Sequence, residues 1–239
     1  MWFYSALLAS LFSAISIIVS KKLLKNVGAT FLTWCTLLIA TPIVALYASK
    51  EGIPSLNIYF LLGVVGSVMF YTLSKIIGFR AMKMADLSTI YPLVSLGPVV
   101  TLFIAMFPPL LETPQPLAVL GVIITVFGTY ILNIEIAKKG IFQPIKALLE
   151  NKASALMLLS IILDSTVVIF DKIAINNTIP KNTTFTLLVE NILVIIGLIP
   201  ILYFRDKRFL KDIKINVKLL TLLGFLNAVT TILAFSAVG

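Results

Sequence analysis

Long apolar stretches separated by short polar breaks dominate this chain. Each stretch runs for roughly 20 residues, and at about 1.5 Å of rise per residue a helix of that length crosses a hydrocarbon core of about 30 Å. Because eight such stretches follow one another, the pattern predicts an all-α, polytopic transmembrane helical bundle with eight spans. The predicted spans are residues 2–20, 30–48, 58–82, 87–107, 116–134, 153–175, 184–204 and 219–238.

Composition supports a membrane protein and excludes several kinds of site. Hydrophobic residues make up 59% of the 239 residues and charged residues 12%, whereas a soluble domain is about half apolar and a quarter charged. The net charge of +9 comes from clusters of basic residues between the spans, where these residues face lipid headgroups. The expected partner is therefore the bilayer of a cell or plasma membrane and not nucleic acid. The chain has no His and a single Cys, Cys35, which excludes imidazole and CxxC metal sites and an internal disulfide. We expect no metal and no cofactor.

An internal repeat relates the two halves of the chain. Aligning Leu8 with Leu158 also aligns Lys22 with Lys172, and with a small gap Gly66 aligns with Gly224. The sixth to eighth spans therefore repeat the first to third. A repeat of five helices has an odd number of spans, so its second copy must insert upside down.

The repeat predicts the domain organisation. Residues 1–134 form a first repeat of five helices, residues 135–152 a basic amphipathic connector, and residues 153–239 an incomplete second repeat of three helices. A counterpart of residues 81–134 is expected to follow Gly239.

The basic residues also bear on orientation. Most of the 19 lie on the side of the membrane opposite the N-terminus, which places that side in the cytoplasm by the positive-inside rule. The distribution is that of inverted copies, because the charges fill the first and third loops of the first half but the second loop of the second half.

The fourth and fifth spans contain the residues expected to interrupt helices and to allow close packing. Pro92, Gly97 and Pro98 remove backbone donors or weaken the fourth span, where a substrate could approach exposed carbonyls. Gly121 and Gly128 lie on nearly one face of the fifth span, which predicts the close approach of a neighbouring helix.

The order and spacing of Ala81, Pro98, Glu112, Gly121 and Gly128 resemble the end of an EamA-type repeat in the drug/metabolite transporter superfamily. That resemblance implies a ten-helix transporter of two inverted five-helix repeats, here without its last two helices. Members of the superfamily are generally drawn with both termini in the cytoplasm, which disagrees with the charge distribution. We expect Glu112, at the tip of the hairpin, to be structural.

Three charged residues lie deep within predicted spans, where an ion costs about 2.5 to 3.5 kcal/mol and therefore usually faces a cavity or a partner. Asp164, near the middle of the sixth span, is a candidate proton carrier; the alternative is an ion pair with Lys75 that only docks the two halves. Glu190 is either a binding group or an interfacial acid, and Lys75 either a binding group or a counter-ion. We expect Asp171 and Lys172, near a helix end, to be interfacial.

Neutral polar residues form stripes on the third and eighth spans. They are candidates for substrate binding or, equally, for hydrogen bonds between helices. These candidates are Ser67 and Tyr71, in line with Lys75 and Gly78, and Asn227, Thr230 and Thr231.

These features favour a secondary transporter that moves a small metabolite (an amino acid, sugar phosphate or drug-like compound) by alternating access, with proton-coupled export as one form. An enzyme is disfavoured because HExxH, GxSxG and paired-Asp motifs are absent, and the lack of GxxxxGK[ST] points to an ion gradient or exchange as the energy source. The alternative is a non-transporting membrane subunit or lipid-handling protein. The sequence leaves the substrate, the direction and the choice between monomer and homodimer open.

Overall fold

The computed structural model describes residues 2–107, 111, 113–132, 150–205 and 209–238. Its helices are α1 (Trp2–Leu23), α2 (Ala29–Ala48), α3 (Ile58–Met84), α4 (Leu87–Ile90), a 3₁₀ helix (Tyr91–Leu96), α5 (Gly97–Ala105), α6 (Pro116–Leu132), α7 (Lys152–Asn176), α8 (Thr183–Arg205) and α9 (Phe209–Val238). Two short strands, β1 (Ser55–Leu56) and β2 (Thr178–Ile179), pair antiparallel. Glu112 and most of the predicted connector lie outside the described residues.

The all-α class and the polytopic character are confirmed. Within the described ranges, six helices are long and apolar enough to cross a membrane, and they match the first three and last three predicted spans. Two shorter apolar helices, Pro92–Ala105 and Pro116–Gly128, fall in the fourth and fifth predicted spans.

The fourth predicted span is three helical pieces and not one helix. Pro92 lies in the first turn of the 3₁₀ helix and Pro98 in the first turn of α5. Proline is tolerated at these positions because the first N–H groups of a helix have no intrahelical acceptor. The chain therefore changes helix type at the residues that the sequence marks as helix breaks.

One predicted loop proved wrong. The basic segment 205–218 was expected to be a loop, but α9 begins at Phe209 and includes most of it. Leu210, Ile213 and Val217 recur at helical spacing between the charged residues, so the segment forms an amphipathic helix. Charge density alone was a poor guide here.

The described chain divides into two compact units. The first contains Met1–Thr72 and Phe170–Gly239, and the second contains Leu73–Ile169. Helices α3 and α7 run through both units.

Close contacts between α3 and α7 are a main feature of the first unit. A Cβ atom added at Gly63 would lie 2.6 Å from the backbone nitrogen of Ala174, so only glycine allows this approach. Phe60, Val64 and Ala174 form a buried cluster against which Val68, Phe185 and Val189 pack. The two helices thus pack backbone to backbone, with a third helix, α8, at their side.

Helix pairing within the first unit has the symmetry of the predicted repeat. Helix α1 packs on α9, α2 packs on both α8 and α9, and α3 packs on both α7 and α8. Exchanging each of the first three spans with its predicted repeat mate leaves this set of pairs unchanged. The pairing supports the repeat, whose boundaries stay a prediction.

Two asparagine pairs follow the same symmetry. Asn57, before α3, donates to Asn177, after α7, at 2.8 Å. Asn26, after α1, donates to Asn216 of α9 at 3.4 Å. Each pair joins the end of one span to the start of its partner.

The second unit contains α4, the 3₁₀ helix, α5 and α6, together with parts of α3 and α7. The expected close packing at Gly121 and Gly128 is not observed, because a Cβ atom added at either would meet nothing within 4 Å among the described residues. Gly121 instead lines a cavity.

Candidate functional site

A cavity of about 1180 Å³ lies in the second unit, against α5, α6 and α7. Most of its wall consists of Val, Leu, Ile, Ala and Pro side chains, which suits the apolar body of a small molecule. Its polar lining residues are Thr101, Thr113, Gln115, Thr125, Asp164 and Ser165. Of the described residues that line the cavity, Asp164 alone is ionisable.

The helix break supplies one wall of this cavity. Gly97 and Pro98, at the start of α5, both line it. The Ser165 hydroxyl, on α7, donates to the Gly97 carbonyl at 3.3 Å, so a backbone acceptor at the break is held by the opposite wall. The break therefore brings backbone polar groups to a surface that regular helices would leave apolar.

Asp164 carries the only charge on the cavity wall among the described residues. Its Oδ1 atom accepts hydrogen bonds from Ser74 at 3.1 Å and from the Lys75 ammonium at 3.3 Å. Its Oδ2 atom has no hydrogen-bond partner within the described ranges. The Lys75 and Asp164 side chains are 35% and 50% exposed.

A buried serine pair fixes the position of this ion pair. Ser74 and Ser160 face each other across α3 and α7, and each hydroxyl lies near the backbone carbonyl of the other residue at 3.0 to 3.1 Å. Gly78 allows the approach, since an added Cβ atom would lie 2.7 Å from the Ser160 hydroxyl. The carboxylate is thus positioned by α3 while its free oxygen stays available.

This arrangement can recognise a hydrogen-bond donor or a cationic group. The Lys75 ammonium lies beside one oxygen of the Asp164 carboxyl, and solvent reaches both side chains. A free carboxylate oxygen on an otherwise apolar wall forms a stronger hydrogen bond with an ammonium group than with a neutral donor.

A second carboxyl site lies in the first unit. The Ser67 hydroxyl of α3 donates to Asp171 Oδ1 of α7 at 2.5 Å. The Glu190 carboxyl of α8 lies near both residues. Glu190 is 8% exposed and Ser67 2% exposed. The Glu190 Oε1 atom is buried without a hydrogen-bond partner among the described residues.

The remaining sequence candidates are Tyr71, Asn227 and Thr230. Tyr71 lies between Ser67 and Ser74 along α3 and is partly buried. Asn227 is partly buried, and its backbone carbonyl accepts the Thr231 hydroxyl of the same helix at 2.8 Å. The Thr230 hydroxyl is buried without a partner among the described residues.

Sequence reasoning gave Asp171 no partner. The structure places it partly buried on α7, where it accepts the Ser67 hydroxyl. The sequence spacing contains a signal for this contact. Asp164 and Asp171 are two helical turns apart on α7, and Ser67 and Ser74 are two turns apart on α3, so each pair lies on one face of its helix. Ser74, Ser160 and the cavity-lining hydroxyls were also missed, because short polar residues in apolar helices are common.

The described residues contain no group of three or more His, Cys, Asp or Glu side chains placed to hold a metal ion.

Comparison with known proteins gives one match. Residues 1–134 match the profile of the EamA-like transporter family, which is more than half of the chain. The matched region contains α1 to α6 and the helix break that lines the cavity. No curated protein is similar enough to count as a match.

Proposed function

The chain belongs to the EamA-like transporter family, and we propose on this basis that it is a secondary transporter that moves a small metabolite by alternating access. Its family and its apolar helices make it an integral, multi-pass membrane protein. The family consists of transporters and not of enzymes.

One observation carries the assignment of the substrate site. Asp164 lies half exposed on the wall of an apolar cavity with its Oδ2 atom free to accept a hydrogen bond. A charged side chain inside the membrane is costly in free energy. A carboxyl that faces a cavity and has an oxygen without a hydrogen-bond partner is therefore best explained by the binding of a ligand. We assign the substrate site to this cavity, with Asp164 as its charged contact.

The charges favour some of the candidate substrates over others. A sugar phosphate would be repelled by Asp164, and Lys75 is already paired with that carboxylate. An amine with an apolar body would place its ammonium group on Oδ2 and its body on the apolar wall. In a zwitterion such as an amino acid, the carboxylate could in addition approach Lys75. Amino acids and drug-like amines are therefore the favoured classes.

The helix pairing supports alternating access. Inverted repeats allow two opposite-facing conformations of nearly equal energy, because each is the other with the roles of the repeats exchanged. The pairs of α1 to α3 with α7 to α9 have this exchange symmetry within the first unit.

Counterflow in proteoliposomes tests the proposal. Vesicles containing the full chain are loaded with unlabelled leucine, tetraphenylphosphonium or glucose 6-phosphate, and uptake of the same labelled compound is measured. We expect exchange of leucine or of the cation, and none of the phosphate. In Asp164→Asn, loss of a charged hydrogen bond worth about 1.5 to 3 kcal/mol should weaken apparent affinity about 10- to 150-fold.

Glu51→Gln is the matched control, because Glu51 lies in an exposed turn. Exchange of glucose 6-phosphate alone would contradict the assignment, and so would Asp164→Asn vesicles that behave like wild type. The apolar lining also suits an acyl chain, so a labelled phospholipid is included; its movement without that of any other probe would favour the lipid-handling alternative.

A further inference from the structure

Two loops meet at one end of the first unit. Residues 52–57 lie between α2 and α3, residues 177–182 lie between α7 and α8, and the pairing of β1 with β2 joins them. Ser55 is directly opposite Ile179 in this pairing, and its hydroxyl donates to the Ile179 carbonyl at 3.1 Å. We call these two loops, residues 52–57 and 177–182, the latch.

Asparagine side chains connect the latch to the helices. The Asn57 amide donates to Asn177 at 2.8 Å, and the Asn182 amide donates to the Gly52 carbonyl at 3.2 Å. The Oδ1 atoms of Asn57 and Asn182 also cap helices, because each accepts the backbone N–H of the third residue of its helix, at 3.0 Å in α3 and at 2.7 Å in α8. A movement of α3 relative to α7 or of α2 relative to α8 therefore acts directly on the latch.

The latch has the properties of a contact that forms and breaks reversibly. Ser55, Asn57 and Ile179 are exposed, so water competes for the hydrogen bonds that join the two loops. Two strands of two residues each are too short to be stable by themselves. Whether the latch is closed therefore depends on the position of the helices that carry it.

The exchange symmetry of the predicted repeat relates the latch to a contact at the opposite end of the same unit. Residues 52–57 belong to the first predicted repeat and residues 177–182 to the second, so the latch joins the repeats. Its symmetry counterpart is the hydrogen bond from Asn26 to Asn216 at 3.4 Å. Helix α2, which is long enough to cross the membrane, separates Asn26 from Asn57, so the two asparagine pairs lie at opposite sides of the membrane.

We propose that the latch is a gate at one side of the membrane, closed in this structure, which opens when the transporter changes to its other conformation. The contact of Asn26 with Asn216 belongs to the corresponding gate at the other side. This role rests on the proposed transport function, because alternating access requires the contacts between inverted repeats to separate at one end at a time.

A disulfide across the latch tests whether it must open during transport. Ser55→Cys and Ile179→Cys are combined in a Cys35→Ala background. Directly opposed Cα atoms in an antiparallel pair are about 4.5 to 5.5 Å apart, which is within the range of a disulfide. After oxidation we expect counterflow of the labelled leucine or tetraphenylphosphonium to fall to the level of protein-free vesicles, and reduction should restore it.

The two single-cysteine variants, oxidised in the same way, are the matched controls and should exchange at the rate of the Cys35→Ala background. Mass spectrometry of a non-reduced digest measures the cross-linked fraction. A fully cross-linked chain that still exchanges the probe would overturn the gate.

Electron paramagnetic resonance tests the opening without relying on transport. With nitroxide labels on the same two cysteines in liposomes, a closed latch gives a spectrum broadened by the neighbouring spin and an open latch does not. We expect both components, in proportions that change when leucine or tetraphenylphosphonium is added.

A spectrum that is entirely broadened under all conditions would overturn the proposal and make the latch a static clamp, and an entirely unbroadened one would show that it does not form. Failure of wild type to exchange any probe would instead count against the proposed transport function, while the two spectral components would still show that the latch opens.

Discussion

Asp164 and Glu190 are both carboxyls within membrane-spanning helices, yet their surroundings are opposite. Asp164 is half exposed to a cavity, paired with Lys75, and has a free oxygen. Glu190 is buried, and its Oε1 atom has no hydrogen-bond partner among the described residues. The first setting leaves a carboxyl oxygen open to a substrate, whereas the second encloses the carboxyl among packed helices.

Packing of the two units explains this contrast. In the first unit, glycines let α3 and α7 approach closely, and Glu190 of α8 is buried. In the second unit, the broken helix and the open surroundings of Gly121 leave a cavity beside Asp164. The chemistry of each acid therefore depends on how closely its helices pack.

The largest expected effect is at the glycines that distinguish the two units. Gly63→Ala places a Cβ atom 2.6 Å from backbone, which cannot move away as a side chain can. We expect the cost to reach or exceed the roughly 1 to 3 kcal/mol of an overpacked core. The measurement is the fraction of monodisperse protein and its thermal aggregation midpoint in detergent.

Gly121→Ala is the matched variant, since its Cβ atom meets nothing within 4 Å. Alanine is favoured over glycine in a helix by about 1 kcal/mol, so this variant should fold as well as wild type or better. Equal stability of the two variants would contradict the packing difference between the units.

The second prediction compares access to the two acids. Cys35 is the single native cysteine and is 3% exposed, so a Cys35→Ala background should cause little disturbance. In it, Asp164→Cys should react with a charged thiosulfonate reagent, because the position faces the cavity, and Glu190→Cys should not. Mass spectrometry of the intact chain measures the labelled fraction. Rapid labelling of Glu190→Cys would reveal a water path that the structure lacks.

The smallest expected effect concerns the ion pair. Both side chains are substantially exposed, so a double-mutant cycle with Lys75→Met and Asp164→Asn should give a coupling energy of about 0 to 1 kcal/mol in the free energy of unfolding. Such a small value fits a pair kept for binding. A coupling of about 3 kcal/mol or more would instead indicate a buried pair that docks α3 against α7.

The two halves of the predicted repeat differ at the buried acid. The alignment that places Lys25 over Lys181 and Tyr47 over Tyr203 also places Trp34 over Glu190. The Trp34 indole nitrogen is likewise buried without a partner among the described residues. Within the described residues, Asp171 and Glu190 both belong to the second half of the predicted repeat.

The sequence by itself determined the all-α class, the spans and the positions where the fourth span breaks. These are local properties: hydropathy over a window of roughly 20 residues marks a span, and a missing proline N–H marks a break wherever it occurs. The sequence also placed Asp164, Glu190 and Lys75 inside spans, where a charged side chain is costly in free energy, and so identified them as candidates for function.

Only the tertiary structure decided what each of these residues faces. Lys75 and Asp164 are 89 positions apart, and Ser67 and Asp171 are 104 apart, so their contacts depend on the register between distant helices. For the same reason the contact of Asp171 with Ser67 was not predicted, and Gly121 was expected to pack against a helix when it lines a cavity. Burial and hydrogen bonding set the charge of a carboxyl, and both are properties of its packed neighbours and not of its own place in the sequence.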